Sequence, residues 1–233
     1  MDAAAAVNPS GWGMVSRNTN WIPMSRSDRS AIPAVVLCGG RGSRIGGDKA
    51  FRTLSGRPLL AVVLDRLTPQ VGAIAINAPD GDRRLSRFRL PIIPDSRIGW
   101  PGPLAGIAAG LAWARGQGAA HVIVVPVDVP FLPADFTARL SAEPDARIAV
   151  ASSGDRVHPV AGRFSVELLE DAAAFLSGEG PRSMMAWIDR HKARMVPFGP
   201  QSVGGNRVDP FFNVNTPEDL AEAERIIGPP AEG

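Results

Sequence analysis

Cysteine occurs once in the 233 residues, at Cys38. That excludes an internal disulfide and any metal site built from cysteines alone, and it fits a reducing compartment. Nowhere does the chain hold the roughly 18 to 20 consecutive apolar residues that a membrane-spanning helix requires. A charge excess is missing too: 25 basic against 23 acidic side chains leave a net +2, too little to imply a polyanion-binding surface. The expectation is a cytoplasmic protein that engages neither nucleic acid nor membrane.

The first 33 residues, MDAAAAVNPSGWGMVSRNTNWIPMSRSDRSAIP, lack helical or strand periodicity and are rich in Ser, Asn, Arg and Pro, a disordered composition. A secretory leader needs a basic start and about 7 to 15 apolar residues. Here only AAAAV is apolar, and Asp2 precedes it, so export is not expected. Met14 and Met24 lie inside the segment, and a start codon further along the message accounts for it as well as a partner-binding tail does. The sequence therefore divides into a disordered extension over 1–33 and one domain over 34–228.

From Ala34 onward, short valine-rich runs alternate with longer helix-type segments: AVVLC, PLLAVVLDRL, AIAIN, PLAGIAAGLAWARG and HVIVVPV. This alternation predicts an α/β fold, a single three-layer α/β/α domain with a mainly parallel, Rossmann-like central sheet. AVVLC and HVIVVPV are unbroken apolar runs, as strands covered on both faces must be, and are expected as neighbours at the centre. Further on, PADFTARL, VELLEDAAAFLSG and SMMAWIDRH read as helices, RIAVASS as a strand and RVHPVAGRF as a strand or hairpin. TPEDLAEAERII opens with a Thr N-cap, a Pro and two acidic residues, all of which favour a helix start. The glycines of GPLAGIAAG recur every fourth residue, a spacing that in a soluble protein implies close packing of a helix on a sheet.

The first strand runs directly into VLCGGRGSRIGGDK. Glycine permits left-handed turns and close backbone approach, and successive exposed N–H groups make an anion-binding concavity. Arg41, Arg44 and Lys49 add three cations, so a phosphate chain is the natural occupant; a flexible glycine turn with solvated charges is the plainer alternative. A dinucleotide fingerprint fails, because Ile45 stands where its last glycine should be. A P-loop fails as well, because Asp48 follows Gly47 and Ala50 takes the hydroxyl position.

A second constellation is VVPVDVPFLP, where Asp128 closes a buried strand. In open α/β sheets, ligands bind beyond the carboxyl ends of the strands, so Asp128 and the glycine loop are expected to face one ligand. A carboxylate beside phosphates, with no cysteine or histidine cluster at hand, suits a hard oxygen-seeking cation such as Mg²⁺. The alternative is an ordinary turn Asp before PFLP.

These segments carry a resemblance. LCGGRGSRIGGDK, PGPLAGI, VDVPFLP, HPVAGRF and FFNVNTPEDL resemble, in order, the motifs of the molybdenum cofactor guanylyltransferases, members of the nucleotide-diphospho-sugar transferase superfamily. The resemblance spans Leu37 to Leu220 and implies transfer of GMP from GTP to molybdenum-charged molybdopterin, with release of pyrophosphate. It further implies that Leu37, Cys38, Gly39, Lys49, Asn77, Asp95 and Asp128 bind GTP, that Asp128 also meets Mg²⁺, and that Asn213 and Asn215 lie near the metal or the pterin phosphate. Three positions depart from the family's pattern: Cys38 stands for a small Ala, Val127 for a Cys and Ile45 for a Met. The first two are similar in bulk to what they replace, so altered packing rather than lost chemistry is expected.

A phosphate acceptor already deprotonated near neutrality needs little help from a general base, so positioning and charge neutralisation by Asp128, Lys49 and Arg44 should supply most of the catalysis. His158 and Trp100 stand beside shared motifs but are equally well read as structural. Rival readings are a molybdopterin cytidylyltransferase, a sugar-phosphate nucleotidyltransferase, and a non-catalytic nucleotide-binding module. Transient contacts with molybdenum-insertion proteins and acceptor enzymes, by a monomer or weak oligomer, complete the implied partners.

Overall fold

The computed structural model describes residues 32–39, 46–79, 81–95, 102–178 and 183–228. The elements run in the order β1 (Ala34–Leu37), β2 (Thr53–Leu54), β3 (Arg57–Pro58), α1 (Leu59–Leu67), β4 (Ile74–Asn77), β5 (Ile92–Ile93), α2 (Pro103–Gly116) and β6 (His121–Pro126). There follow α3 (Phe136–Ser141), β7 (Ile148–Ser153), β8 (Arg156–Ser165), α4 (Leu169–Ser177), α5 (Met184–Arg190), β9 (Arg194–Pro197), β10 (Gln201–Val203), β11 (Asn206–Val208) and α6 (Pro217–Ile227). A 3₁₀ turn over Gly46–Phe51 carries Lys49.

Seven strands make the central sheet in the order β5-β4-β1-β6-β8-β7-β9. All neighbours are parallel except β8, which runs against both β6 and β7. As expected, β1 and β6 are adjacent, and both of their faces are covered. Val36, Ile123 and Val125 pack with α1 and α3 on one side. Val35, Leu37, Val122 and Val124 pack with α2, α4 and α5 on the other. Alternate side chains of a strand point to opposite faces, so a strand roofed on both sides reads as an unbroken apolar run.

The four-residue glycine spacing does what it promised. A Cβ at Gly110 would stand 3.2 Å from Val35 Cγ2, and one at Gly106 would overlap Asn77 Oδ1 and come within 3.0 Å of Leu37 Cδ2. Helix α2 therefore lies closer to β1 and β4 than any side chain at those positions would allow.

The segment RVHPVAGRF is a strand with an irregularity. Val150 pairs with Gly162, but the next residue, Ala151, pairs with His158. The residues Pro159–Ala161 are thus extra on β8, and a proline is tolerated there because a bulge asks for no ladder N–H. Gly162 follows at a point where a Cβ would sit 2.5 Å from Ala149 O.

Small elements escape the periodicity. Strands β5 and β9 are short, and β9 ends at Pro197; the hairpins β2–β3 and β10–β11 are equally brief. At the start, Ile32 and Pro33, grouped by composition with the leading segment, already belong to the domain: Ile32 O accepts from Gly72 N at 3.1 Å and Pro33 O from Ile123 N at 2.9 Å. Among the described residues, no helix is long and apolar enough to cross a membrane.

Candidate active site

The parallel strands β4, β1 and β6 bring their carboxyl ends to one edge. From β1 the chain proceeds to β4 on one side, while β6 lies on the other, which makes a switch point between β1 and β6 and opens a crevice. Leu37 and Pro126 are in register across it, and Val127 N donates to Leu37 O at 3.1 Å. A cavity of about 430 Å³ opens there, lined by Leu37, Cys38 and Gly39 from the first loop and by Lys49, Asp128 and Asn213. Six of the residues expected in a site are thus brought together.

At the centre, Lys49 Nζ donates to Asp128 Oδ2 at 2.6 Å and also to Asn215 Oδ1. Both members of the ion pair are largely shielded from water, with 22% and 16% of their side chains exposed. The other carboxylate oxygen, Asp128 Oδ1, is buried and has no hydrogen-bond partner among the described residues. A turn-stabilising Asp would accept backbone N–H groups. This one points one oxygen at an ammonium and leaves the other for an incoming donor or cation. The donor set fits a hard divalent ion bound through one or two carboxylates and substrate phosphates rather than a protein cage. No group of three His, Cys, Asp or Glu side chains able to hold a metal occurs among the described residues.

Asn215 owes its position to the helix that follows. Thr216 caps α6 by accepting from Asp219 N at 3.1 Å, and Asp219 Oδ2 returns the bond to Thr216 N at 2.8 Å and to Asn215 N at 2.9 Å. These backbone bonds hold the Asp219 carboxyl below its ordinary range. Arg52 Nη1 grips Asn215 O at 2.8 Å, and Val214 N donates to Asp128 O at 2.9 Å. The Thr cap was legible from TPED; that the same carboxylate clamps the preceding Asn was not.

Asn77 and Asp95 form a separate pair, next to the cavity rather than among its lining. Asn77 is 3% exposed at the end of β4. Its amide donates to Ile93 O and to Asp95 Oδ1, each at 3.0 Å. Asp95 itself is exposed. Arg44 and Trp100 lie outside the described residues.

On the far side of Asp128, the bulge of β8 pushes Pro159 and Val160 into the cavity wall beside Arg156, His158 and Phe211. His158 stacks on Phe211 with ring centroids 4.5 Å apart, and its Nε2 shares a 2.7 Å hydrogen bond with Ser153 Oγ, which donates to Asp209 Oδ2 at 3.0 Å. Burial, above all, lowers the His158 pKa, with Asp209 opposing. The imidazole is therefore neutral at physiological pH and serves as a fixed wall. The HPV motif signals this wall in the sequence and Phe211 opens the FFNVNTPEDL segment, but Arg156 carries no signal of its own. Cys38 is inert for a related reason: burial pushes its thiol up to about 12.

A parallel-sheet switch point, a glycine-bounded strand end, and a lysine and carboxylate facing one cavity are the features of an α/β ligand-binding site, and comparison with known proteins makes its class a nucleotidyltransferase. The MobA-like NTP transferase domain model matches residues 34–194. A molybdenum cofactor guanylyltransferase of Rhodopseudomonas palustris is 44% identical over 209 residues, covering 87% of this chain and 97% of that protein. One of Rhizobium leguminosarum is 44% identical over 202 residues, covering 85% and 94%. The chain belongs to the MobA-like NTP transferase family, among the molybdenum cofactor guanylyltransferases. Its fold is shared with molybdopterin-guanine dinucleotide biosynthesis protein A of Archaeoglobus fulgidus, at 24% identity and a TM-score of 0.63 over 84% of this chain and 98% of that one. It is shared too with the 2-C-methyl-D-erythritol 4-phosphate cytidylyltransferase of Thermus thermophilus, at 19% identity and a TM-score of 0.57 over 82% and 96%.

Proposed function

We propose that the chain transfers GMP from GTP to molybdopterin carrying molybdenum, releasing pyrophosphate. The observation that carries the reading is the Lys49–Asp128–Asn215 junction, on a cavity that Lys49 and Asp128 line, with Asp128 Oδ1 buried and without a partner among the described residues. The order of groups along the sheet edge supports it. Asp95 and Asn77 follow β5 and β4, Leu37 to Gly39 follow β1, Asp128 follows β6, and Arg156 and His158 open β8. Such a row suits a nucleotide laid with its base over β4 and β5, its phosphates at the glycine loop, and the acceptor at the β8 wall.

In this reading Lys49 keeps its contact with Asn215 while offering its ammonium to the departing pyrophosphate, and Arg44 adds a second charge. Backbone N–H groups of the glycine loop hold the phosphate oxygens. Asp128 would hold a Mg²⁺ ion, which when bound would supply neutralisation of phosphate charge. Asn213, on the cavity wall, orients the acceptor phosphate for in-line attack, which needs positioning more than proton transfer. The wall of Arg156, His158 and Phe211 excludes water and presents one cation to the acceptor.

The test offers GTP and CTP at equal concentration with Mg²⁺ and metal-charged molybdopterin, and separates the products by chromatography. Guanylated pterin should dominate. Mainly cytidylated pterin would replace guanine with cytosine in this reading, and no nucleotide adduct would reduce the protein to a nucleotide-binding module.

A further inference from the structure

Arg52 stands between the 3₁₀ turn that carries Lys49 and the hairpin β2–β3, and its backbone is tied to both sides. Its N–H donates to Lys49 O at 3.3 Å, and its carbonyl accepts from Leu59 N at 2.8 Å, which carries the pairing of the hairpin one step further, to the start of α1. Leu54 and Leu59 are buried in one apolar cluster with Val214, Ala223 and Ile226, so the hairpin and α6 are packed together beneath this point. The base of Arg52 is therefore rigid. From it the guanidinium reaches Asn215 O at 2.8 Å, and the residue next to the lysine's turn thus holds the lysine's partner as well.

Asn215 is exposed, yet its backbone is bound on both sides by charged side chains: its N–H donates to Asp219 Oδ2 at 2.9 Å, and its carbonyl accepts from Arg52. Charge-assisted bonds of this kind are the stronger ones. With both flanking peptide groups fixed, Asn215 Oδ1 stays within reach of Lys49 Nζ, and the ammonium is shared between Asn215 and Asp128. Without Asn215 it would fall wholly to Asp128, an opposite charge 2.6 Å away, and would be harder to draw off toward a phosphate. We infer that Arg52 is a positioning residue for Lys49: acting through Asn215, it keeps the ammonium shared and so sets how readily Lys49 turns to the phosphates of a nucleotide. The inference rests on the phosphate role given to Lys49 above. What separates this contact from an incidental surface bond is that it spans 163 residues and closes a ring, from Lys49 Nζ to Asn215 Oδ1, from Asn215 O to Arg52 Nη1, and from Arg52 N back to Lys49 O.

Calorimetric titration of the full-length protein with GTP and Mg²⁺, without acceptor, tests this in a double-mutant cycle. Arg52→Met, which keeps much of the side chain's length and removes its donors, should weaken GTP binding roughly tenfold with the melting temperature unchanged. Arg52→Lys should recover most of the loss, because one bond to one carbonyl asks for a donor and not for the guanidinium fork. In a Lys49→Ala background Arg52→Met should cost nothing further, since the residue through which it acts is gone; Lys49→Met replaces Lys49→Ala if the latter fails to fold. Equal losses in the two backgrounds would show Arg52 meeting the phosphates on its own account and overturn the inference. Wild-type affinity in Arg52→Met, or an Arg52→Lys no better than Arg52→Met, would overturn it too. Lys49→Ala binding GTP as tightly as the wild type would instead overturn the phosphate role of Lys49 in the reading above.

Discussion

At the scale of single residues, the Lys49–Asp128 pair is asymmetric, and the asymmetry can be measured. Asp128→Asn removes a shielded charge, and the desolvation it relieves offsets the lost ion pair; Lys49→Ala leaves a carboxylate that is 84% shielded, from an exposure of 16%, without its ammonium. The amide of Asp128→Asn still accepts from Lys49, which also keeps Asn215, whereas Lys49→Ala strips the carboxylate of its described side-chain partner, and a shielded charge left unpaired is costly. Both variants should lose turnover by about a hundredfold or more, but Lys49→Ala should melt at the lower temperature. Equal melting temperatures, or the reverse order, would show that the pair is solvated and structurally idle. Cys38 gives a second test. Its thiol is held at about 12, against an ordinary 9.0, so between those values the unfolded chain binds fewer protons than the folded one. Stability from this group is complete below pH 9 and is lost as pH rises toward 12, at about 1.4 kcal/mol per pH unit. Urea unfolding of Cys38→Ala should accordingly fall less steeply with pH across that window than the wild type. Identical slopes would place the thiol in water.

Among the elements, β8 shows how a motif can be read correctly and still be misunderstood. HPVAGRF looks like a functional signature, yet its glycine is there for the sheet: Gly162 lies opposite Val124 and Val150, with Ala149 O 2.5 Å from any Cβ. A backbone carbonyl cannot swing aside as a side chain can, so Gly162→Ala should destabilise by about 1 to 3 kcal/mol, read as a lower denaturant midpoint. A neutral substitution would mean that the sheet yields at the bulge. The long elements were legible because β1, β6, α2 and α6 each carry a strong local rule, either two-sided burial, a glycine stripe or a cap. Strands β5 and β9 obey no such rule, since their residues are strand only because a neighbouring strand is there to receive them. The site divides in the same way. Lys49 and Asp128 follow from strand ends and Phe211 opens a motif, whereas the place of Arg156 on the cavity wall and the clamp of Asp219 on Asn215 follow from side-chain geometry that no local pattern records.

For the molecule as a whole, Ile32 and Pro33 are the earliest described residues to accept backbone hydrogen bonds from the domain, from Gly72 and Ile123, and the polar, aperiodic segment before them lacks the apolar pattern needed to dock. Deleting residues 1–30 should leave melting temperature and turnover unchanged; a drop in either would reveal a packed tail. The site draws on nearly the full length of the domain, for Lys49 meets a partner 79 residues later and another 166 residues later, and Val214 N closes on Asp128 O. A chain emerging from the ribosome therefore has its nucleotide loop and its acidic residue long before it has Asn215 to complete the arrangement. Synthesis that stops before Asn215 leaves Lys49 with one of its two partners missing. The junction at the centre of the cavity is thus completed by one of the last segments of the domain to be made.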